Sequence, residues 1–514
     1  MAAPPAHARA GRVLPVILAA IAVVVVLREP PLLGSSDEAW HLYEAKRVLE
    51  GQTFYTDIFD IIPPGYQWLM ALCFRLFGTT IETAKTVTAV MHGLIVALVF
   101  VICRRLGVRT ALAVPLALAH LAIFQPAWPH ASPHWLSTLL ALAILLTLLD
   151  RRWTDRASRA ALPGVLTGLL LAVQHQRGLV TAAGVLFLLA AEPFVTRDRR
   201  STRARLAWCV AGMLAVVLPV VAVVIAGAGG WPVLRALVLQ PLFHYGSVNR
   251  YRWGQVVVFT ASLAGHTFPR LLAWLPAVLV STVLRTARAA LRSEDPERLR
   301  RLVVLDVFGV VSIASITYLP DFVHIALVAP VFAILTGEAA EAALRTLPVR
   351  AAAWASILVG VAGVAAVAVQ VERNAARGRT EYALRHTTPF GVVAFRSSEE
   401  IALVEAIMAA MRDVPQRTLF VYPGYPALYL LTATHNPTPH QLLLPRYNFP
   451  DQLEAAIATL ERIPVPYVVL VAKLIGRDDP IFAYVRAHYE DVDVPGAEAA
   501  TGAKLLRRKA IRPG

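Results

Sequence analysis

The chain has 514 residues, of which 57% are hydrophobic and 16% are charged, and its mean hydropathy is +0.58. A soluble protein of this length could not bury so much apolar surface, so the composition excludes a soluble globular protein and indicates a membrane protein that contacts lipids. The net charge of +15 comes mostly from arginines in short clusters between apolar segments, which is typical of membrane topology and not of a nucleic-acid-binding surface. The three cysteines lie in or beside apolar segments and give neither a disulfide framework nor metal-ligand spacing.

About eleven apolar segments are long enough to cross a bilayer as helices, some of them ending in amphipathic loops. The first has the length and basic start of a signal peptide, but Arg28-Glu29-Pro30-Pro31 follows it instead of the small residues of a cleavage site. We therefore interpret it as a retained span. The predicted spans are 13–27, 86–103, 110–124, 134–149, 161–174, 178–192, 206–227, 256–284, 302–318, 322–339 and 351–371.

Arginines concentrate in every second connection between these spans. The clusters are Arg9 and Arg12; Arg104, Arg105 and Arg109; Arg151, Arg152 and Arg156; Arg197, Arg199, Arg200, Arg203 and Arg205; Arg285, Arg288, Arg292, Arg298, Arg300 and Arg301; and Arg345 and Arg350. Since cytoplasmic connections carry the excess of basic residues, this alternation predicts a cytoplasmic N-terminus. With an odd number of spans, everything after about residue 372 is then extracytoplasmic.

Two extracytoplasmic segments are too long to be turns, so we predict a transmembrane domain, residues 1–371, and an extracytoplasmic domain, residues 372–514. The first long segment, 28–85, contains a helix start at Ser35-Ser36-Asp37-Glu38 and an amphipathic stretch from Ala39 to Leu49. A short apolar helix from Tyr66 to Phe77 is too brief to span, so we expect it in the membrane interface.

The second long segment alternates between helical and strand patterns. A helix at 399–411 precedes a strand at 418–422, and a helix at 451–462 precedes a strand at 467–471. This alternation predicts a small α/β domain after a polytopic α-helical membrane domain.

The first extracytoplasmic segment also carries a recognisable series of motifs. An acidic pair, Asp37-Glu38, follows the first span; Gly51 and Tyr55-Thr56-Asp57 come next; and Pro63-Pro64-Gly65 precedes the interfacial helix, which ends in Phe77-Gly78. The series resembles the first periplasmic or lumenal loop of the GT-C superfamily of polyprenyl-phosphate-sugar glycosyltransferases, particularly the protein O-mannosyltransferase and lipid A aminoarabinose transferase branch. The match is close over this loop and looser over the multi-span layout.

The resemblance implies a GT-C-like fold in the plasma (inner) membrane and transfer of a hexosyl or pentosyl group. The donor would be a polyprenyl-phosphate sugar, and the acceptor a lipid, glycan or protein. The rival interpretation is a transporter or flippase of lipid-linked saccharides, for which internal repeats and ionisable residues near the membrane midplane are expected. A third is a non-catalytic polysaccharide-assembly or sensing protein, which would not need the acidic pair.

Transfer to an acceptor hydroxyl needs a carboxylate that accepts its proton near the membrane surface. In the family the matching Asp of the acidic pair is the proposed base, so the resemblance assigns this role to Asp37, with Glu38 in support. A structural alternative is that Ser35 and Glu38 form a capping box while Asp37 interacts with the helix dipole. The two roles can coexist.

The donor phosphate needs a cation, and here the sequence departs from the family. In the aminoarabinose branch a Glu-Lys pair stands directly before Pro-Pro, whereas Ile61-Ile62 occupies those positions here. Arg177 interrupts a hydrophobic stretch and is one candidate replacement; Arg250 and Arg252, interleaved with aromatic residues, are others. A simple turn at Arg177, and an interfacial belt at the other two, are the structural alternatives.

Further candidate substrate-binding residues are polar and extracytoplasmic. They are His41, Asp57, Asp60, Asp321 and His324. His41 lies one helical turn after Asp37, and Asp321 and His324 are three residues apart at the start of a span. Each also has a structural alternative as an interfacial, solvated-loop or hairpin-tip residue. The sequence predicts no definite cofactor and no metal centre. Asp57 and Asp60 could nevertheless bind either sugar hydroxyls or a divalent cation.

Overall fold

Helices make up most of the molecule, and they follow the apolar segments of the sequence. The computed structural model describes residues 6–34, 37–150, 156–196, 202–246, 268–292, 295–471 and 479–510. The longer helices within these ranges are α1 (Ala6–Leu27), α2 (Asp37–Leu49), α3 (Gly65–Phe77), α4 (Ile81–Arg105), α5 (Thr110–Ala119), α6 (Pro133–Leu149), α7 (Ala161–Val173), α8 (His175–Thr196) and α9 (Thr202–Ala228). After the short α10 (Gly230–Leu234) come α11 (Phe268–Leu291), α12 (Pro296–Ala314), α13 (Phe322–Leu344) and α14 (Val349–Glu381).

Five of the described helices are long and apolar enough to cross a membrane: α4, α5 with its extension to Ala127, α9, α13 and α14. Shorter apolar helices accompany them at Val13–Leu27, Pro133–Leu149, Ala157–Val173 and His175–Ala191. In α13, 78% of the most apolar window is buried, against 17% in α14. Helix α13 therefore forms the centre of the bundle, and the apolar exposed surface of α14 suits contact with lipid chains.

Close packing inside the bundle uses small residues. A side chain at Gly164 of α7 would collide with the carbonyl oxygen of Cys209, and one at Gly212 of α9 with that of Ala161. Glycine at both positions lets the two helices approach closely. Membrane helices depend on such contacts, because lipid offers no hydrophobic driving force between them.

The C-terminal part carries six strands and five further helices within the described residues. They are β1 (Leu384–Thr388), β2 (Gly391–Phe395), α15 (Ser398–Ala410), β3 (Leu419–Tyr422), α16 (Ala427–Leu431), α17 (Pro450–Arg462), β4 (Tyr467–Val471), α18 (Pro480–His488), β5 (Tyr489–Val492), α19 (Ala497–Thr501) and β6 (Ala503–Arg508). Strands β1 and β2 form an antiparallel hairpin. The other four form one sheet in the order β3-β4-β6-β5, in which only β3 and β4 are parallel.

These strands and the segment before α4 lie on the same side of the bundle. Tyr43 of α2 stacks on Tyr429 of α16 with ring centroids 4.7 Å apart, and its hydroxyl accepts a hydrogen bond of 2.8 Å from the backbone N–H of Asn436. The backbone N–H of Ile81 donates to the carbonyl of Phe390, in the β1–β2 turn, at 2.8 Å. These contacts bring the two long segments of the sequence together.

The predicted fold class is confirmed, with corrections at helix boundaries. Helix α4 begins at Ile81 and not at residue 86, because the Thr80 hydroxyl caps it by accepting from the N–H of Thr83. Helix α12 covers 296–314 instead of 302–318, since its capped first turns are polar and precede the apolar segment. The predicted span 256–284 begins outside the described residues, and its described part continues to Leu291.

Candidate active site

A cavity of about 440 Å³ lies where the segment after α1 meets the ends of several bundle helices. This volume is within the range of small-molecule sites. Asp37, Trp40 and His41 of α2 form one wall, with Asp60, Ile61 and Ile62 from the loop before α3. The ends of α6, α7, α8 and α13 line other parts of it, together with Leu442 and Tyr447 of the C-terminal part.

The two acidic residues at the start of α2 have different surroundings. Asp37 is exposed and lines the cavity, and none of the residues that the structure describes donates a hydrogen bond to its carboxylate. Glu38 is buried, and it accepts from the backbone N–H groups of Gly34 (2.7 Å) and Ala131 (2.6 Å). Among the described residues, the Asp37 carboxylate is thus open to a ligand in the cavity, whereas the contacts of Glu38 hold the helix in place.

Two basic side chains complete the environment of Glu38. Lys85 of α4 and His130 each lie 3.0 Å from its carboxylate. Burial alone would raise the pKa of Glu38, but the positive charge of Lys85, the nearby His130 and the hydrogen bonds lower it from 4.5 to about 2. The predicted capping box of Ser35 and Glu38 lies partly outside the described residues, which include Glu38 and its contact with Gly34 but not Ser35 or Ser36.

Further along α2 from Asp37, the helix and the loop that follows it bring together His41, Glu44 and Asp60. Glu44 and Asp60 are 0% and 2% exposed. Burial raises the pKa of Glu44 to about 7, and burial together with the charge of Glu44 raises that of Asp60 well above its usual range. Burial also lowers the pKa of His41, an effect that Asp60 and Asp37 oppose. The amide nitrogen of Gln67 contacts all three groups.

The opposite wall is formed at the start of α13. Asp321 caps this helix by accepting from the backbone N–H of His324 at 2.9 Å, and the same oxygen lies 2.7 Å from the His324 Nδ1. The His324 ring contacts those of His134 and Tyr318, with centroids 5.1 and 5.4 Å apart. Asp321 and His324 both line the cavity, together with these two rings.

Arg177 follows Gln174 and Gln176, which line the cavity, and it is 5% exposed. Its Nη1 donates to the hydroxyls of Ser137 and Thr138, both at 2.9 Å. Among the described residues, its Nη2 is buried without a hydrogen-bond partner, and no carboxylate pairs with this guanidinium. A buried arginine without a counter-ion next to a cavity is suited to an anionic ligand.

The structure separates one predicted residue, Asp57, from the cavity. The Asp57 side chain is exposed and accepts a hydrogen bond of 2.8 Å from the N–H of Thr53, so it closes a turn and does not line the cavity. Arg250 and Arg252 lie outside the described residues.

Several cavity residues did not emerge from the sequence. Trp40 is inside the recognised motif, but nothing in it marked the indole as a wall residue. His134 and Gln174 are polar residues at the ends of predicted spans. This position is the feature of the sequence that could have marked them as cavity residues. No sequence pattern pointed to Tyr447, because it lies in a loop 410 residues after Asp37. The amide of Gln240 donates a hydrogen bond to its carbonyl and so helps to hold it beside the cavity.

Comparisons with known proteins identify the fold. The profile of the family described as dolichyl-phosphate-mannose-protein mannosyltransferase matches residues 62–225. The apo structure of ArnT from Cupriavidus metallidurans superposes with a TM-score of 0.62 at 16% identity, and covers 98% of this chain and 98% of its own. The chain has a GT-C fold.

Two further structures are similar. ArnT from Cupriavidus metallidurans bound to undecaprenyl phosphate has a TM-score of 0.60 at 16% identity, over 96% of this chain and 97% of its own. The arabinofuranosyltransferase AftD from Mycobacteria has a TM-score of 0.46 at 15% identity, over 97% of this chain and 40% of its own. No curated protein sequence matches this one. The GT-C resemblance inferred from the first loop is confirmed by the matching family profile and the fold.

Proposed function

We propose that this multi-pass membrane protein is a glycosyltransferase that moves a sugar from a polyprenyl-phosphate donor to an acceptor hydroxyl on the extracytoplasmic side. The observation that carries the proposal is the Asp37 carboxylate, which lines the cavity and accepts no hydrogen bond from any described residue. One of the similar ArnT structures holds undecaprenyl phosphate, which supports a lipid-phosphate donor.

In the proposed reaction, Asp37 acts as the general base. The acceptor oxygen attacks the anomeric carbon and passes its proton to the Asp37 carboxylate, while the bond from that carbon to the phosphate oxygen breaks. The electron pair of that bond leaves with the lipid phosphate. Asp37 is the first residue of α2, so its carboxylate lies at the positive end of the helix dipole.

Arg177 is the proposed cation for the donor phosphate. It would take the role of the lysine in the Glu-Lys pair of the aminoarabinose branch, whose positions Ile61-Ile62 occupies here. Among the described residues its buried Nη2 has no hydrogen-bond partner, and the nearby Gln174 and Gln176 line the cavity, where they can share the contact. A phosphate oxygen at this position would form a charge-assisted hydrogen bond in a region of low dielectric constant, where such bonds are strongest.

The aromatic lining suits a sugar. Trp40, Tyr318 and Tyr447 border the cavity, and each combines a flat apolar face with one polar group. His324, oriented by Asp321, offers a further polar group on the opposite wall from Asp37. These residues are the proposed contacts to the transferred group, which we take to be a hexose or a pentose.

The test is transfer of radiolabel from synthetic polyprenyl-phosphate hexoses and pentoses to acceptors in membranes that contain the protein. We expect label in a new glycosidic bond with the unaltered protein and with Glu50→Gln, an acid just after α2 that pairs with Lys46. We expect none above background with Asp37→Asn. Label that crosses the membrane on its original lipid, without a new bond, would instead identify a transporter or flippase.

A further inference from the structure

One group of side chains beside the cavity has the composition of a metal site. His41 and Glu44 lie three residues apart on one face of α2, and Asp60 approaches from the loop before α3. Their ligand atoms all lie within 4.8 Å of one another. The His41 Nδ1 is 3.8 Å from an oxygen of each carboxylate.

The group has an excess of negative charge in a buried place. Glu44 and Asp60 are almost fully buried, and neither forms an ion pair with a lysine or arginine of the described chain. Arg47, one turn after Glu44, is engaged elsewhere: it donates to Gln52 and to the carbonyls of Asp57 and Thr438. Two buried carboxylates side by side need either a bound proton or a cation, since burial of unpaired charge is costly.

Gln67 caps the triangle that the three ligand atoms form. Its Nε2 is 3.1 Å from the His41 Nδ1 and 3.0 Å from an oxygen of both Glu44 and Asp60, so three acceptors converge on one point. Its Oε1 is buried and has no hydrogen-bond partner among the described residues. Rotation of the amide by half a turn would put this oxygen in the place of the nitrogen, facing the same three atoms, so that it could serve as a fourth ligand of a cation held between them.

We propose that His41, Glu44 and Asp60 bind one divalent cation, with the Gln67 oxygen as the fourth ligand. One imidazole nitrogen and carboxylate or amide oxygens suit Zn²⁺ or Mn²⁺ better than Ca²⁺, which prefers six or more oxygens. The cation neutralises both carboxylates. It also fixes the loop that carries Asp60, Ile61 and Ile62 to α2, one turn from Asp37.

Cation binding is independent of glycosyl transfer, so metal content tests it directly. The full-length protein, purified in detergent without a polyhistidine tag, is stripped with EDTA and equilibrated with Zn²⁺ or Mn²⁺. Bound metal is then measured by mass spectrometry alongside the melting temperature. We expect about one ion per chain, bound with a rise in melting temperature.

Glu44→Gln separates the cation from its alternative, a proton shared between Glu44 and Asp60. Glutamine can still accept the hydrogen bond of 2.6 Å that the Trp40 indole donates, and it imitates a protonated carboxyl. It should keep the fold but weaken metal binding by roughly tenfold or more. Glu50→Gln, which changes a more exposed acid nearby, should bind metal as the unaltered protein does.

His41→Gln serves as a second variant if Glu44→Gln does not fold, because His41 is at the cavity edge with 12% of its side chain exposed. It should also lose metal. A folded protein that binds neither ion, or equal binding by the unaltered protein and both variants, would overturn the proposal in favour of a proton-sharing pair.

Discussion

At the scale of single residues, the neighbours Asp37 and Glu38 show how position alone assigns different duties to two carboxylates. Asp37 faces the cavity, and Glu38 faces Lys85, His130 and two backbone N–H groups. A change at Asp37 should therefore alter chemistry and leave folding intact, whereas a change at Glu38 should do the reverse.

Asp37→Asn is expected to lower the rate of glycosyl transfer by ~10²–10⁴, because the amide cannot take the acceptor's proton. Asparagine is a comparable residue for a helix start, so the loss of stability should stay below about 1 kcal/mol. The measurement is transfer by purified protein in nanodiscs, with the melting temperature recorded on the same sample. Near-normal transfer by a stable variant would remove Asp37 from its proposed role.

Arg177→Gln is expected to raise the apparent KM for the donor by some ten- to hundredfold, since a charge-assisted contact to a desolvated phosphate contributes about 1.5–3 kcal/mol. The maximal rate should also fall, because the leaving lipid phosphate gains negative charge during the chemical step. Donor titration at saturating acceptor measures both values.

The matched control for Arg177 is Arg379→Gln, an exposed arginine of α14 that pairs with Glu372. It should leave the donor requirement unchanged. The melting temperature of the Arg177 variant is needed too, because Arg177 also donates to Ser137 and Thr138. An unaltered KM in a folded Arg177→Gln protein would contradict the phosphate role.

At the scale of elements, Glu38 connects three parts of the chain: α2, α4 through Lys85, and the segment before α6 through His130 and Ala131. Lys85→Met should leave the buried carboxylate without its strongest partner and destabilise the protein by about 3 kcal/mol. Lys46→Met removes the partner of Glu50 from a more exposed pair and should cost no more than about 0.5 kcal/mol. The melting temperatures of the two variants test the difference; equal values would mean that the Glu38 contacts do not hold these elements together.

The same contacts predict how stability depends on acid. The pKa of Glu38 is about 2 in the folded protein and 4.5 ordinarily, so its ionised form contributes stability above pH 4.5. That contribution, roughly 3 kcal/mol, should be lost as the pH falls from 4.5 towards 2. Melting temperatures across this interval measure it. The loss should be smaller in Lys85→Met, where the folded pKa is higher; an identical acid dependence in the two proteins would refute the assignment to Glu38.

Most helices could be predicted from the sequence, because an apolar segment in a membrane has to form a helix to satisfy its backbone. The strands Leu419–Tyr422 and Tyr467–Val471 were also visible as short apolar segments next to helical patterns. The hairpin Leu384–Phe395 and the strand Ala503–Arg508 were missed. Their sequences mix charged and apolar residues, and pairing with distant segments decides their structure.

At the scale of the whole molecule, the cavity is assembled from segments that are far apart in the chain. The sequence predicted the wall at Asp37, His41 and Asp60, since these residues belong to one recognisable loop. It also marked Asp321 and His324, a polar pair at a span end. It could not place Tyr447 beside them, because that depends on how the C-terminal part docks, and no local pattern encodes docking.

The orientation in the membrane is the remaining prediction at this scale, and it rests on the arginine clusters together with the docking of the two long segments. Because Tyr43 stacks on Tyr429, α2 and the C-terminal part must lie on one side of the membrane. The positive-inside pattern puts that side outside the cytoplasm.

In a variant whose three natural cysteines are replaced, single cysteines at the exposed positions Thr56 and Glu461 should react with a membrane-impermeant maleimide in intact cells. Single cysteines at Arg292 and Arg350, also exposed, should react only after lysis. Labelling of Thr56→Cys and Glu461→Cys from opposite sides would contradict the docking, whereas labelling of both only after lysis would reverse the orientation and remove the extracytoplasmic location of the cavity.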